Sequence, residues 1–241
     1  MLPLPTLSTA LLIVAGTLGC GRAAVPAPSP RPEAPAAGAG ASRASSLEPR
    51  DAASATSDDA RLATAVLAEV NRVRTDPAGY AKLLEAMLPQ FDGRLFRRPD
   101  QPSDLVTQEG AAAIEEAIRV LRRTAPLPPL APAKGLTRAA AEHVRDQGKA
   151  GTTGHVGFDG SSPATRAARH GEWLDRLTEN IMYGATTARE VVVGLVVDDG
   201  VPGRGHRRNI LDPEVRVAGA ACGPHRTFHE MCVVMHAGGF R

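Results

Sequence analysis

The stretch TAREVVVGLVVDDG, residues 187–200, decides how the chain folds. Its valines suit a strand, because β-branched side chains fit a pleated surface. Its ends argue for a helix. Thr187 followed by Glu190 is a capping box, and Gly200 is a suitable helix stop. The reading is therefore a helix over Thr187–Asp199. Val191, Leu195 and Asp198 then fall at i, i+4 and i+7 on one buried face, and Asp199 points away. A carboxylate on an apolar face needs a partner, and an imidazole or a metal would serve Asp198.

The flanks supply the other layers. Thr178–Tyr183 reads as a short strand. Val215–Cys222 and Phe228–His236 read as two antiparallel strands, with a turn near Pro224–Thr227. Upstream, Asp58-Asp59 is a plausible helix N-cap before the stripe Leu62, Val66, Val70 and Val73. Asp76-Pro77 opens a second helix carrying Tyr80, Leu83, Leu84 and Met87. A third helix is expected over 108–123, through Ala113, Ile114, Ala117, Ile118 and Leu121, and prolines in 126–132 stop it. A fourth is expected over 135–148, with Leu136, Ala140, Val144 and Gln147 on one face. The fold class is α+β: a three-layer α-β-α sandwich with a small antiparallel sheet between helices.

Three segments divide the chain. Residues 1–20 contain the apolar run Leu11–Leu18, too short to span a bilayer but suited to a signal peptide. The run ends at Gly19-Cys20, which resembles a lipobox and makes Cys20 the lipidation candidate. No Lys or Arg precedes the run, and Thr17 stands where leucine is usual, so an ordinary cleaved signal peptide is the alternative. Residues 21–60 are Ala- and Pro-rich and read as a disordered tether. Residues 61–241 form the folded domain. The expected location is outside the cytoplasm, lipid-anchored in the cell envelope or extracellular, with membrane contact only through the anchor.

Hydrophobic residues make up 43% of the chain and aromatic ones only 3%, so the core must be aliphatic. The net charge of +2 and scattered basic residues argue against nucleic-acid binding. Arg97-Arg98, Arg122-Arg123 and Arg207-Arg208 are short groups of the kind that solvate a face.

Three motifs carry the chemistry: His155 in Gly154-His-Val-Gly157, Glu179 in Thr178-Glu-Asn-Ile181, and His206 in Gly205-His-Arg-Arg-Asn-Ile-Leu211. In this order, with Asn71-x-x-Arg74 before them and Val217-Ala-Gly-Ala and Cys-Val-Val-Met behind, the chain resembles the CAP superfamily (cysteine-rich secretory proteins, antigen 5, pathogenesis-related 1), in particular bacterial envelope-type members. The resemblance covers about residues 62–240. It implies a cleft with two histidines and two acidic residues, here His155, His206, Glu179 and Asp198. Asp198 departs from the family's glutamate and is one methylene shorter.

Two imidazoles with carboxylates would suit zinc or another divalent ion. A ligand-contacting cleft without metal, and a purely structural polar cluster, are the alternatives. His143 reads as a helix histidine, His170, His225 and His229 as surface or turn residues, and His236 as a strand residue near the cleft. Trp173 reads as packing at the cleft rim. A turn centred near residue 227 places Cys222 opposite Cys232, and export permits a disulfide there. Buried free thiols are the alternative.

Three functions are compatible with this sequence. One is a non-catalytic module binding a small apolar ligand, peptide or cell-wall component in the cleft. Another is a zinc-dependent hydrolase of envelope peptides or peptidoglycan. The last is a structural or protein-interaction module. The His-Glu-x-x-His and Gly-x-Ser-x-Gly signatures are absent.

Overall fold

The computed structural model describes residues 52–98 and 103–241. The signal segment, Cys20 and residues 21–51 lie outside the described residues.

Helix α1 (Ala52–Thr75) starts earlier than its sequence suggests. Asp58 and Asp59 therefore stand inside the helix, where Asp58 pairs with Arg61, and the helix takes in the end of the stretch read as tether. The reason is local: alanine is the best helix former, and the segment holds no proline or glycine. Helix α2 (Pro77–Glu85) begins as its sequence dictates, with the Asp76 side chain accepting from Gly79 N at 2.8 Å and proline at the first helical position.

Between α2 and α3 (Ala111–Arg123) runs a small sheet absent from the sequence reading. Its strands are β1 (Phe91–Asp92), β2 (Leu95–Phe96) and β3 (Leu105–Val106), all antiparallel. Helix α3 starts at Ala111 rather than at 108 because Asp199 accepts the backbone N–H groups of Gln108 and Glu109. Gly110, at φ 63°, makes the turn into the helix.

The main sheet has the order β4-β6-β7-β5. Strand β5 (Trp173–Tyr183) lies antiparallel to β7 (His229–Phe240), which lies antiparallel to β6 (Val217–His225). The expected all-antiparallel sheet is corrected at one edge. There β4 (Ala131–Pro132) runs parallel to Val217-Ala218, the Pro-rich segment having been drawn along the edge of β6.

Helices cover both faces. On one, α1, α2, α3 and α6 (Ala188–Val197) pack with Met182, Ala218, Cys222, Cys232 and Val234. On the other, α4 (Lys134–Ala150) and α5 (Pro163–Ala168) pack with Leu177, Ile181, Tyr183, Val233 and Met235. This is the α-β-α sandwich, and its core is aliphatic as the composition requires. Its strands alternate sides, as a pleat must.

The α6 helix carries the full capping box, with Thr187 Oγ1 accepting from Glu190 N and Glu190 accepting from Thr187 N. It ends at Val197. Asp198 is not a helical residue but the C-cap, in the left-handed conformation at φ 58°. It is fully buried all the same, so the face argument located the side chain while misjudging the backbone.

Cys222 and Cys232 are directly paired across β6 and β7 and form a disulfide. The turn between them centres on residue 227.

Candidate functional site: two separated histidine–carboxylate pairs

His155 lies in the loop between α4 and α5. Its Nδ1–H donates to Glu179 Oε1 at 2.9 Å. The other oxygen, Oε2, accepts from Arg166 Nη2 at 2.7 Å. Arg166 Nη1 also donates to the carbonyls of Ser161 (2.9 Å) and His155 (3.2 Å). One buried guanidinium therefore fixes both the carboxylate and the loop that carries the imidazole. Arg166 is placed by α5, whose Ser162 N-cap accepts from Thr165 N and whose first residue is Pro163.

Burial alone would push the Glu179 carboxyl up. The His155 hydrogen bond and the Arg166 guanidinium outweigh it and hold the group below the ordinary glutamate value.

A neutral network backs this cluster. His143 Nε2–H and Gln147 Nε2 both donate to Gly154 O, at 2.9 and 2.6 Å. The Tyr183 hydroxyl donates to Gln147 Oε1 at 2.7 Å and accepts from Gly154 N at 3.0 Å. Burial lowers the His143 pKa, against the pull of Glu179, and raises the Tyr183 phenol to about 12. The peptide at Gly154 is thus held from three sides, which sets the entry of His155.

The second pair is built at the turn from α6 into α7 (Gly205–Ile210). Asp198 Oδ1 bonds His206 Nδ1 at 2.7 Å, and Oδ2 accepts from His206 N at 2.9 Å. Both side chains are fully buried, and His206 Nε2 has no hydrogen-bond partner. Arg204, also left-handed at φ 51°, donates to Asp198 O at 2.8 Å. Arg204 further grips Glu109 and Glu116 of the α3 region. Its hydrogen bond holds the Glu109 carboxyl down to about 2.

The sheet decides how the two pairs relate. In β5, Glu179 is opposite Met235 and Asn180 opposite Val234. Met235 belongs to the α4/α5 face and Val234 to the α1/α6 face. Paired residues share a face, so adjacent Glu179 and Asn180 point to opposite sides. Glu179 holds His155 on one. Asn180 Nδ2 donates to His206 O at 3.1 Å on the other, itself steadied by Asn209 at 2.7 Å. The expected cleft residues therefore come together as two pairs, held from opposite faces of one strand.

This arrangement bears on metal binding. Glu179 and Asp198 each use both oxygens within the protein. Among the described residues, no group of three or more His, Cys, Asp or Glu is placed to hold an ion. The four side chains do not fit a single metal ion as they stand.

Other expectations resolve individually. Arg74 is buried and donates to the carbonyls of Pro128, Ile210, Asp212 and Val215. Asn71 exchanges two hydrogen bonds with the Leu130 backbone. These two α1 residues tie loops to the helix. His225 is at the hairpin turn but buried, not exposed. It donates to Thr152 O and packs between Tyr183 and Phe228. His236 is fully buried beside Thr178, and burial pushes its pKa down to about 3. Trp173 opens β5 opposite Phe240 and packs on the α4/α5 core. Arg166, the centre of the first cluster, was missed. An arginine in the ordinary helix Pro163–Ala168 carries no local signal for burial.

The family described as cysteine-rich secretory protein family (CAP) matches residues 115–236. An outer surface protein of Borrelia burgdorferi is 18% identical, with a TM-score of 0.40 over 46% of this chain and 78% of that one. An extracellular protein containing an SCP domain from Bacillus anthracis is 18% identical, with a TM-score of 0.39 over 46% and 34%. A cysteine-rich secretory protein of Staphylococcus aureus is 12% identical, with a TM-score of 0.34 over 52% and 37%. The match covers about a third of the length of the latter two. No curated protein matches. On the family match, and with the three motifs in order, the chain belongs to the cysteine-rich secretory protein (CAP) family.

Proposed function

We propose that this chain is an exported, non-catalytic binding domain of the cell envelope, tethered through Cys20. The observation that carries the reading is the saturation of Glu179. Both of its oxygens are engaged, and its charge is matched by a buried guanidinium. A general acid or base must exchange a proton with a bound substrate, whereas both oxygens of this carboxylate are already held within the protein. Both oxygens of Asp198 are also engaged, by the ring and the backbone N–H of His206.

The ligand surface is the recess of about 320 Å³ outside Arg166. Its walls alternate in sign: Glu142, Asp146 and Asp159 against Arg145 and Arg169. Arg169 spans the recess, pairing with Asp159 at 2.8 Å and Glu142 at 3.2 Å. Mixed charge over a rigid loop suits a short zwitterionic peptide of a wall component. The export reading agrees with the family, and no described helix is long and apolar enough to cross a membrane.

The test is calorimetric titration of the full-length chain with soluble muropeptides, followed by mass analysis of the peptides. Saturable binding, weakened by Arg169→Glu with peptide masses unchanged, is expected. Peptide cleavage by the chain, or binding indifferent to both Arg169→Glu and Arg145→Glu, would overturn the reading.

A further inference from the structure

A second cavity lies away from both histidine pairs. It holds about 140 Å³ between α6 and the small β1-β2-β3 sheet. Phe91, Phe96 and Leu105 form one wall, and Val193 and Val197 of α6 form the other. Phe91 and Phe96 pack at 4.8 Å, so the wall is a preformed aromatic pair. Arg98, Arg189, Glu190 and Asp199 also line it, and Arg98 and Glu190 lie 3.9 Å apart.

Flexible Met87 also lines the space. The apolar walls are flanked by charges of both signs with no net excess, so the part of a ligand that packs between the walls must be uncharged. The size fixes its scale: an apolar cavity of roughly 150 Å³ accommodates one benzene molecule. The three strands of one wall precede residue 115, where the family match begins, whereas the α6 wall lies within the matched segment.

We propose that the cavity between α6 and the β1-β2-β3 sheet binds an uncharged apolar group of about six carbons, either an aromatic ring or the end of an alkyl chain. This site is separate from the Arg166 recess and does not rest on it.

The experiment uses the full-length chain and ¹⁹F NMR of fluorobenzene, with 1-hexanol as competitor. Saturable line broadening is expected. Competition by 1-hexanol assigns the site to chains as well as rings, and absence of competition restricts it to rings. Val193→Phe and Leu105→Phe fill the space from opposite walls. Each should weaken binding at least tenfold without lowering the melting temperature. Arg145→Glu, on the wall of the Arg166 recess, should leave fluorobenzene binding unchanged, which separates the two sites. No saturable broadening in the parent chain would overturn the proposal. So would binding that survives both filling substitutions, or that falls equally in Arg145→Glu.

Discussion

Replacing Arg166 with methionine removes the guanidinium that pairs with Glu179 and keeps the side chain's apolar length. The Glu179 carboxylate then stays buried with His155 alone, and the carbonyls of Ser161 and His155 lose their donor. Breaking a buried pair by deleting one partner costs about 3–5 kcal/mol. Glu179→Gln removes the other charge, strands the guanidinium, and should cost ~3 kcal/mol on the same reasoning. In the double variant neither charge is left alone. The remaining loss is that of unpaired carbonyls, ~1–2 kcal/mol. Urea unfolding of the four proteins gives the cycle, and its coupling should exceed ~2 kcal/mol. A domain of ordinary stability, about 5–15 kcal/mol, survives each single change. Additive effects, or single losses below ~1 kcal/mol, would refute the view that Arg166 and Glu179 act as one closed unit.

Two further expectations follow from buried groups. His236 has a depressed folded pKa of about 3, and the unfolded value is near 6.5. Below pH 6.5 the unfolded chain takes up a proton that the folded chain refuses, so stability present at neutral pH is lost on acidification. His143, also depressed, acts in the same direction. Each should contribute up to ~1.4 kcal/mol per pH unit, and His236→Leu should flatten the slope measured by urea unfolding between pH 6.5 and 4. The Cys222–Cys232 bridge closes a short loop and should contribute about 3 kcal/mol, read as the loss in the Cys222→Ala/Cys232→Ala variant. An unchanged midpoint would show that the bridge does not constrain the unfolded chain.

Much of the fold was legible because its signals are local. The capping box at Thr187 and Glu190 overrode the valine run, and a helix formed. The turn at residue 227 brought Cys222 to Cys232 because hairpin register counts outward from the turn. Other features resisted reading for physical reasons. Strands of two residues, such as Leu95–Phe96, are too short to show a period, so the wall of the apolar cavity left no trace. The motifs at His155, Glu179 and His206 are ordered along the chain. Order alone says nothing about which loop covers which face of β5. The pleat separates Glu179 from Asn180, and packing of α5 and α7 on opposite sides then separates the pairs. Arg166 gains its role only when its helix docks on β5.

Whether the first cluster is closed can be measured at Glu179 itself. Its side-chain carboxyl ¹³C shift, followed against pH in the intact protein, should titrate with a midpoint below the ordinary glutamate value of 4.5. A midpoint above 4.5, as burial without the His155 and Arg166 contacts would give, would contradict the account.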